Sequence, residues 1–535
     1  MSRDRQKNTE ISSSNSLFFC ESKLGSKVDP MPFFKKVLVA NRGEIAVRII
    51  RALKALKIES VAVYSDADVS WPHVFMAGEA VGLQGSYPSE TYLDIGKMIK
   101  AAESTGCDAI HPGYGFLSES SDFSRACSEG GLKFIGPSAD TLLVSGNKLE
   151  CKRLAESNGV PVVPYTREPL SDVEGAVRFS EEIGFPVLLK SAYGGGGKGI
   201  REAKNRAEVR ENFASAEREA KSSYGKFSIF VEKRLVRPRH IEVQIVASDD
   251  SKEVIHLGER DCSIQRRYQK LIEMSPSPVM DEDSRNRVTS LAITTAKAVG
   301  YSNAGTVEFL RDSDTGNFYF MEINSRLQVE HPVTELVTGV DLVRTQLAIA
   351  SETKIPFAQK DVQINGFAME CRINAEDSLL DFAPTTGTID YLAVPGGPGI
   401  RVETALQEGV EVSPFYDSLV AKLLAFGRDF DEARKRLLIA LGEFIVSGIE
   451  TTIPFHKAVL ENKEFVRGEF DTSFIERTDL SKPQAPGSND DYYIISALLL
   501  SKNQFFDNSH SAVSEKTRRP PWLSSNKSGR FSDGI

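Results

Sequence analysis

The run Gly194-Gly195-Gly196-Gly197-Lys198-Gly199 constrains this chain more than any other feature. It stands just after an apolar stretch, Val187-Leu188-Leu189-Lys190, that reads as a strand. Successive glycines weaken the interior of any helix or strand, so the run is a loop. Their bare backbone lets N–H groups approach an anion closely, and Lys198 adds positive charge. Two familiar phosphate loops are excluded. A Walker A loop has Ser or Thr after its Lys and Gly at the position of Ala192, whereas Gly199 follows the Lys here. The run does not open a helix after the first strand either, as a dinucleotide loop would. A flexible lid over phosphates remains. A loop flexible for no purpose is the plainer alternative, and the flanking lysine favours the lid.

The rest of the chain divides around this unit. At 535 residues it exceeds the ~250–300 that one hydrophobic core usually serves. Residues 1–33 are Ser-rich and aperiodic and read as a disordered arm. From residue 34 the pattern is βαβ. Val37-Leu38-Val39-Ala40 is a strand, Asn41-Arg42-Gly43 turns, Ile45, Ile49, Ile50, Leu53 and Leu56 recur at helical spacing, and Val61-Ala62-Val63-Tyr64 is the next strand. That is a doubly wound α/β unit running to about 145. The second unit has strand-like runs at 187–190, 229–232, 241–246, 305–310 and 318–324, and a third runs from about 365 to 477. A tail follows over 478–535, with one short helix at 492–500 and a disordered end.

Net charge narrows the partners little. Lys plus Arg number 65 and Asp plus Glu 74, which gives −9. Nothing points to nucleic acid held by global charge, although a local basic cleft still suits phosphates. The six cysteines contain no C-x-x-C pair and read as reduced, mostly buried thiols. No apolar stretch approaches the ~18–20 residues of a membrane span. Leu17-Phe18-Phe19-Cys20 is too short for a signal-peptide core, and Asp4, Glu10, Glu21 and Asp29 argue against a transit peptide. The expectation is a cytoplasmic protein without membrane or nucleic-acid partners.

A carboxylate pair carries the second signal. In Phe318-Tyr319-Phe320-Met321-Glu322-Ile323-Asn324, strict alternation puts residues 318, 320, 322 and 324 on one face. A hairpin centred near Thr315 sets Glu308 opposite Glu322. Like charges across strands are destabilising unless neutralised, and Mg²⁺ or Mn²⁺ with oxygen ligands would do it. A solvated face with Lys or Arg neighbours is the alternative. The intervening turn is no EF-hand, because Ile323 stands where the closing Glu belongs. Asn324-Ser325-Arg326-Leu327-Gln328-Val329-Glu330-His331-Pro332 then brings a guanidinium, an amide and a carboxylate beside these acids. Arg suits planar two-oxygen anions, and Glu330 is a candidate general base. The cluster 259–270 taken alone reads as a weak, solvated basic patch. His111-Pro112-Gly113-Tyr114-Gly115 reads first as a turn. Lys190 ends an apolar strand and needs an anion there.

The order Lys148, Lys190, the glycine run, Glu232-Lys233-Arg234-Leu235, the 259–270 cluster, Glu308 and 322–332 resembles an ATP-grasp ligase. Ala40-Asn41-Arg42-Gly43-Glu44-Ile45-Ala46, the 111–119 segment and Glu330-His331-Pro332-Val333-Thr334-Glu335 narrow the resemblance to biotin carboxylase, over roughly 34–477. The resemblance implies an α/β fold. It has an N-terminal doubly wound domain (34–145), an ATP-grasp domain (146–350) with a Gly-rich lid at about 163–235, and a C-terminal mixed α+β domain (351–477). It also implies two half-reactions: MgATP activates bicarbonate to carboxyphosphate, and the carboxyl group passes to N1′ of biotin.

Carried over by resemblance, the ATP site comprises Lys148, Lys190, Gly195, Gly196, Gly197, Glu232, Lys233, Leu235, His240, Gln265, Tyr268, Glu308 and Leu310. The metal-bridging acids are Glu308 and Glu322, with Asn324 beside them. Lys270, Arg326, Gln328 and Val329 match the bicarbonate site, and Glu330 matches its base. Arg401 matches the group that stabilises the biotin enolate, and Tyr92 a biotin-side contact. Tyr268 departs from the family, which commonly has His there. That change keeps a hydrogen bond and loses a titratable cation, so altered nucleotide affinity is expected. The eight methionines include no Met-Lys-Met, the usual biotin attachment triplet. The resemblance therefore implies a separate biotin carboxyl carrier protein and a separate carboxyltransferase subunit. It further implies a homodimer with Arg48 at an interface, and a carboxyl acceptor of the acyl-CoA class (acetyl- or propionyl-CoA), with pyruvate as the alternative.

Overall fold

The structure is a computed structural model that describes residues 34–192, 200–223, 229–352, 354–478 and 480. The arm 1–33, the glycine run with Gly195, Gly196 and Gly197, and the helix expected at 492–500 lie outside the described residues.

The first unit follows its apolar periodicity. Lys36–Val39, Glu59–Tyr64, Glu79–Gly82, Ala109–His111 and Lys133–Phe134 form one parallel sheet, with Lys36–Val39 at its centre. Both faces of that strand are buried. Val37 and Val39 pack under the helix Gly43–Ala55, while Leu38 meets the helices Ile95–Ser104 and Ser121–Glu129. Helices on both sides of a parallel sheet make it doubly wound. The turn into the first helix runs through Gly43 at φ +62°, a backbone that a side chain would strain.

Arg201–Ala203, Val187–Ser191 and Ile229–Lys233 form a small antiparallel sheet. The helices Val173–Ile183 and Arg206–Ser223 cover it through Ala176, Val177, Val209 and Phe213. The glycine run belongs to the connection between its first two strands.

The third sheet is antiparallel and has eight strands, in the order Phe318–Asn324, Asn303–Arg311, Arg239–Ala247, Val254–Arg266, Gln269–Ser275, Phe367–Asn374, Leu419–Gly427 and Ile400–Thr404. It passes without a break from the second expected domain into the third. The boundary expected at 350/351 falls within the helix Leu342–Glu352.

Two sequence readings change here. Glu308 does pair with Glu322, but a bulge shifts the register so that Phe309 pairs with Phe320. Phe318, Phe320 and Ile323 enter the core together, so strict alternation fails at Met321. The extra residue returns Glu322 and Asn324 to the face of Glu308. The 259–270 cluster is also not a solvated patch. Glu259, Arg260 and Asp261 are fully buried and paired with Arg285, Glu242 and Arg239.

Cys107, Cys127, Cys151, Cys262 and Cys371 are free and buried. No helix among the described residues is long and apolar enough to cross a membrane.

Candidate active site

Glu232 anchors one wall. Its strand faces Val187–Ser191, and its carboxylate takes Lys190 Nζ at 2.6 Å and Lys152 Nζ at 2.9 Å. The anion that Lys190 needed is therefore Glu232. Burial alone would raise this carboxyl, but the two ammonium groups hold it at about 2. Lys152 was not legible as a site residue, because its helix Lys148–Ser157 shows only that it is amphipathic. Lys148, at the start of that helix, reaches Glu322 at 2.5 Å. Lys233 Nζ donates to the carbonyls of Gly184 and Phe185 at 2.9 and 3.1 Å. Leu235 and Leu310 are half-buried, Gln265 is buried, and His240 pairs in register with Leu310.

Lys270 is the hub of the second wall. Its Nζ lies 2.5 Å from Glu242, 2.8 Å from Glu308 and 2.7 Å from Glu330. His240 Nε2 adds a contact to Glu308 at 3.1 Å. Glu330 is fully buried, and its other oxygen takes Arg372 Nη2 at 2.8 Å. Burial pushes its carboxyl up, yet Lys270, Arg372 and Arg260 hold it well below the usual carboxylate range. Glu330 is thus held as an anion.

Glu308 and Glu322 face each other across adjacent strands, and Asn324 Nδ2 donates to Glu308 Oε1 at 2.8 Å. Two carboxylates and an amide on one face form an oxygen-donor set that fits Mg²⁺ or Mn²⁺. Lysines neutralise both acids, Lys270 at Glu308 and Lys148 at Glu322, so the alternative reading holds in part: the face is salt-bridged, with Glu308 buried and Glu322 and Asn324 half-buried.

The turn after Asn324 closes the pocket. Arg326 Nε sits 3.2 Å from Glu119, and its Nη1 donates to Gln328 Oε1 at 3.1 Å. Among the described residues the buried amide nitrogen of Gln328 has no hydrogen-bond partner, which leaves a donor for a bound anion. Lys270, Arg326, Gln328 and Val329 therefore surround Glu330.

Arg401 and Tyr92 do not stand where their expected contacts would need them. The guanidinium of Arg401 is held by Glu335 at 2.8 Å and Glu403 at 2.5 Å, away from Glu330. The arginine that reaches the base is Arg372. Its signal was present in Glu370-Cys371-Arg372-Ile373-Asn374, where charge alternates with apolar residues on a buried strand. Tyr92 is fully buried, and its hydroxyl donates to Asp68 at 2.5 Å, which leaves no surface for a ligand. Arg48 turns into the chain, to Glu335 at 2.9 Å and Asp341 at 2.8 Å. The half-buried tyrosine near the Glu330 turn is Tyr114, from the segment first read as a turn. Its hydroxyl donates to Glu44, and its ring lies 5.8 Å from Lys422 Nζ.

Comparison with known families agrees with this geometry. Residues 33–142 match "Biotin carboxylase, N-terminal domain", residues 147–357 match "Carbamoyl-phosphate synthase L chain, ATP binding domain", and residues 370–477 match "Biotin carboxylase C-terminal domain". Biotin carboxylase 1 of Bacillus subtilis is 48% identical over 446 residues, which is 83% of this chain and 99% of that protein.

The chain belongs to the biotin carboxylase family.

Other relatives of this biotin carboxylase differ in name. The 2-oxoglutarate carboxylase small subunit of Hydrogenobacter thermophilus is 47% identical over 83% of this chain and 93% of its own length. The crystal structure of the biotin carboxylase domain dimer of that carboxylase, with MgADP, ADP and bicarbonate, superposes with a TM-score of 0.82 at 46% identity. It covers 85% of this chain and 100% of that one. Biotin carboxylase from Campylobacter jejuni, in complex with β,γ-ATP, gives 0.81 at 41% identity, over 83% and 99%.

Proposed function

We propose that this biotin carboxylase uses ATP and bicarbonate to carboxylate biotin on a separate carrier, as the first half-reaction of an acyl-CoA carboxylase. The observation that carries the mechanism is Glu330, a fully buried carboxylate shared between Lys270 and Arg372. Its charged form is set beside the donors Arg326 and Gln328. In the first step Glu330 takes the bicarbonate proton, and a bicarbonate oxygen attacks the γ-phosphorus of ATP, giving carboxyphosphate and ADP. Lys148 and Lys190 hold phosphates, while Glu308, Glu322 and Asn324 would hold Mg²⁺ or Mn²⁺. The bound ion supplies charge neutralisation at the phosphate oxygens. In the second step the carboxyl group passes from carboxyphosphate to N1′ of biotin, the C–O bond to phosphate breaks, the released phosphate takes up the N1′ proton, and Arg372 stabilises the enolate oxygen of the ureido ring. That role was expected of Arg401. The proximity of Arg372 to the base supports the reassignment.

The acceptor is selected by a carboxyltransferase, and we place it among acyl-CoA thioesters. Relatives of equal similarity, named for pyruvate carboxylase in Methanothermobacter thermautotrophicus and for 2-oxoglutarate carboxylase in Hydrogenobacter thermophilus, favour a second reading, a 2-oxo acid. The carboxyltransferase that co-purifies decides between them. A homodimer is part of the proposal, supported by the dimer named for the Hydrogenobacter domain.

The test is ATP hydrolysis by the purified chain with bicarbonate and free biotin. Turnover should require both, and the chain itself should carry no covalent biotin on a streptavidin blot. Turnover indifferent to biotin overturns the reading.

A further inference from the structure

We propose that Lys422 is a positioning residue of the bicarbonate site: anchored by Glu44, its ammonium grips the Val329 carbonyl and fixes the Gln328–Val329–Glu330 turn from behind. The proposal rests on the biotin carboxylase reading and extends it to residues that touch no substrate.

Lys422 lies in Leu419–Gly427, an otherwise apolar strand, and is fully buried. A lone ammonium there is costly and persists only with partners. Its Nζ donates to Val329 O at 3.0 Å and meets Glu44 Oε2 at 3.3 Å. Tyr114 leans over the ammonium and donates its hydroxyl to the other oxygen of Glu44. Glu44 is nearly inaccessible on the helix Gly43–Ala55. Burial raises its carboxyl to about 7 against the pull of Lys422, as expected of an acid this deep with one cation beside it. Three distant segments therefore meet on one nitrogen: the Asn41-Arg42-Gly43-Glu44 motif, the 111–115 turn and the Val329 turn.

The grip matters because the peptide between Val329 and Glu330 is planar. Holding its oxygen fixes the plane and the direction in which Glu330 leaves the chain. Arg372 and Lys270 then fix the carboxylate from the other side. An apolar residue at 422 would fill the volume and leave that peptide free to rotate.

The experiment compares Lys422→Met with Glu44→Gln/Lys422→Met, which removes both charges together and spares the fold an unpaired buried acid. Glu44→Gln alone, nearly isosteric, is the third variant. The bicarbonate KM should rise about tenfold or more in the lysine variants and by roughly threefold in Glu44→Gln, as a misplaced reacting group predicts. The ATP KM and MgADP affinity by calorimetry should stay near wild type. An unchanged bicarbonate KM in Glu44→Gln and in either folded lysine variant overturns the proposal. So does a rise in ATP KM equal to that for bicarbonate, which would mark a general loss of structure. The wild-type assay separates the two readings: biotin-independent turnover sinks the functional reading, whereas an unmoved bicarbonate KM beside normal wild-type turnover sinks only this one.

Discussion

Arg372 Nη2 lies 2.8 Å from Glu330 Oε2, and the same guanidinium reaches Glu273 through Nε at 2.5 Å. One arginine thus joins the base to a second buried acid, while Arg401 is spent on Glu335 and Glu403. Arg372→Ala should lower biotin-dependent turnover by about 10²-fold or more, the usual loss for one preorganised donor. Arg401→Ala should cost less than about tenfold. Steady-state kinetics of the two variants side by side decide the assignment, and a reversed order would return the role to Arg401.

The cross-strand acids give a second outcome. Glu322→Gln keeps the shape and removes one metal-facing charge. Its requirement for Mg²⁺ should rise steeply, and turnover should fall by about 10²-fold at ordinary Mg²⁺. Titration of activity against Mg²⁺ reads both. An unchanged Mg²⁺ dependence would remove Glu322 from the metal site.

Glu232 predicts an acid-side effect on stability. Its folded carboxyl is held at about 2, below the ordinary 4.5. The linked stability is therefore fully present above about 4.5 and is lost as pH falls toward 2. Glu232→Gln should be destabilised by on the order of 3 kcal/mol at pH 7, since it also strands two buried lysines. The gap between variant and wild type should shrink between pH 5 and pH 3 in urea unfolding. A gap independent of pH would mean that Glu232 is not ionised in the fold.

Arg267 and Tyr268 form a two-residue hairpin loop with φ +49° and +64°. Such a loop favours Asn-Gly, so two large side chains there are strained. Arg267→Asn/Tyr268→Gly should raise stability by about 1 kcal/mol and weaken ATP binding. Tyr268→His should change the ATP KM without a stability change. Calorimetric melting and ATP saturation curves separate the two effects, and an unmoved ATP KM in both variants would take this loop out of the nucleotide site.

Much of the site was readable from residue order, since Lys190, Glu232, Glu308, Leu310 and Glu322 lie on strands whose apolar runs announced them. Glu308 opposite Glu322 matched a turn centred on Thr315; the turn itself centres half a residue earlier, and the bulge between the turn and the pair brings Glu322 opposite Glu308. The misses share a cause. Arg372, Lys152 and Lys422 each turn a charge inward from elements packed on the core, and their partners lie far away in sequence. Lys190 carried the same signature and was interpreted because the glycine run stood beside it. Tyr92 and Tyr114 differ in burial, which sequence position alone does not reveal.

The unbroken eight-stranded sheet fixes a spacing within the site. Glu308 and Arg372, which serve the phosphate and biotin ends in the proposed mechanism, stand four strands apart on one hydrogen-bonded lattice. Lys190 and Glu232 belong to a separate small sheet. The path an unstable mixed anhydride must cover before it meets biotin is thus a fixed length built into the framework.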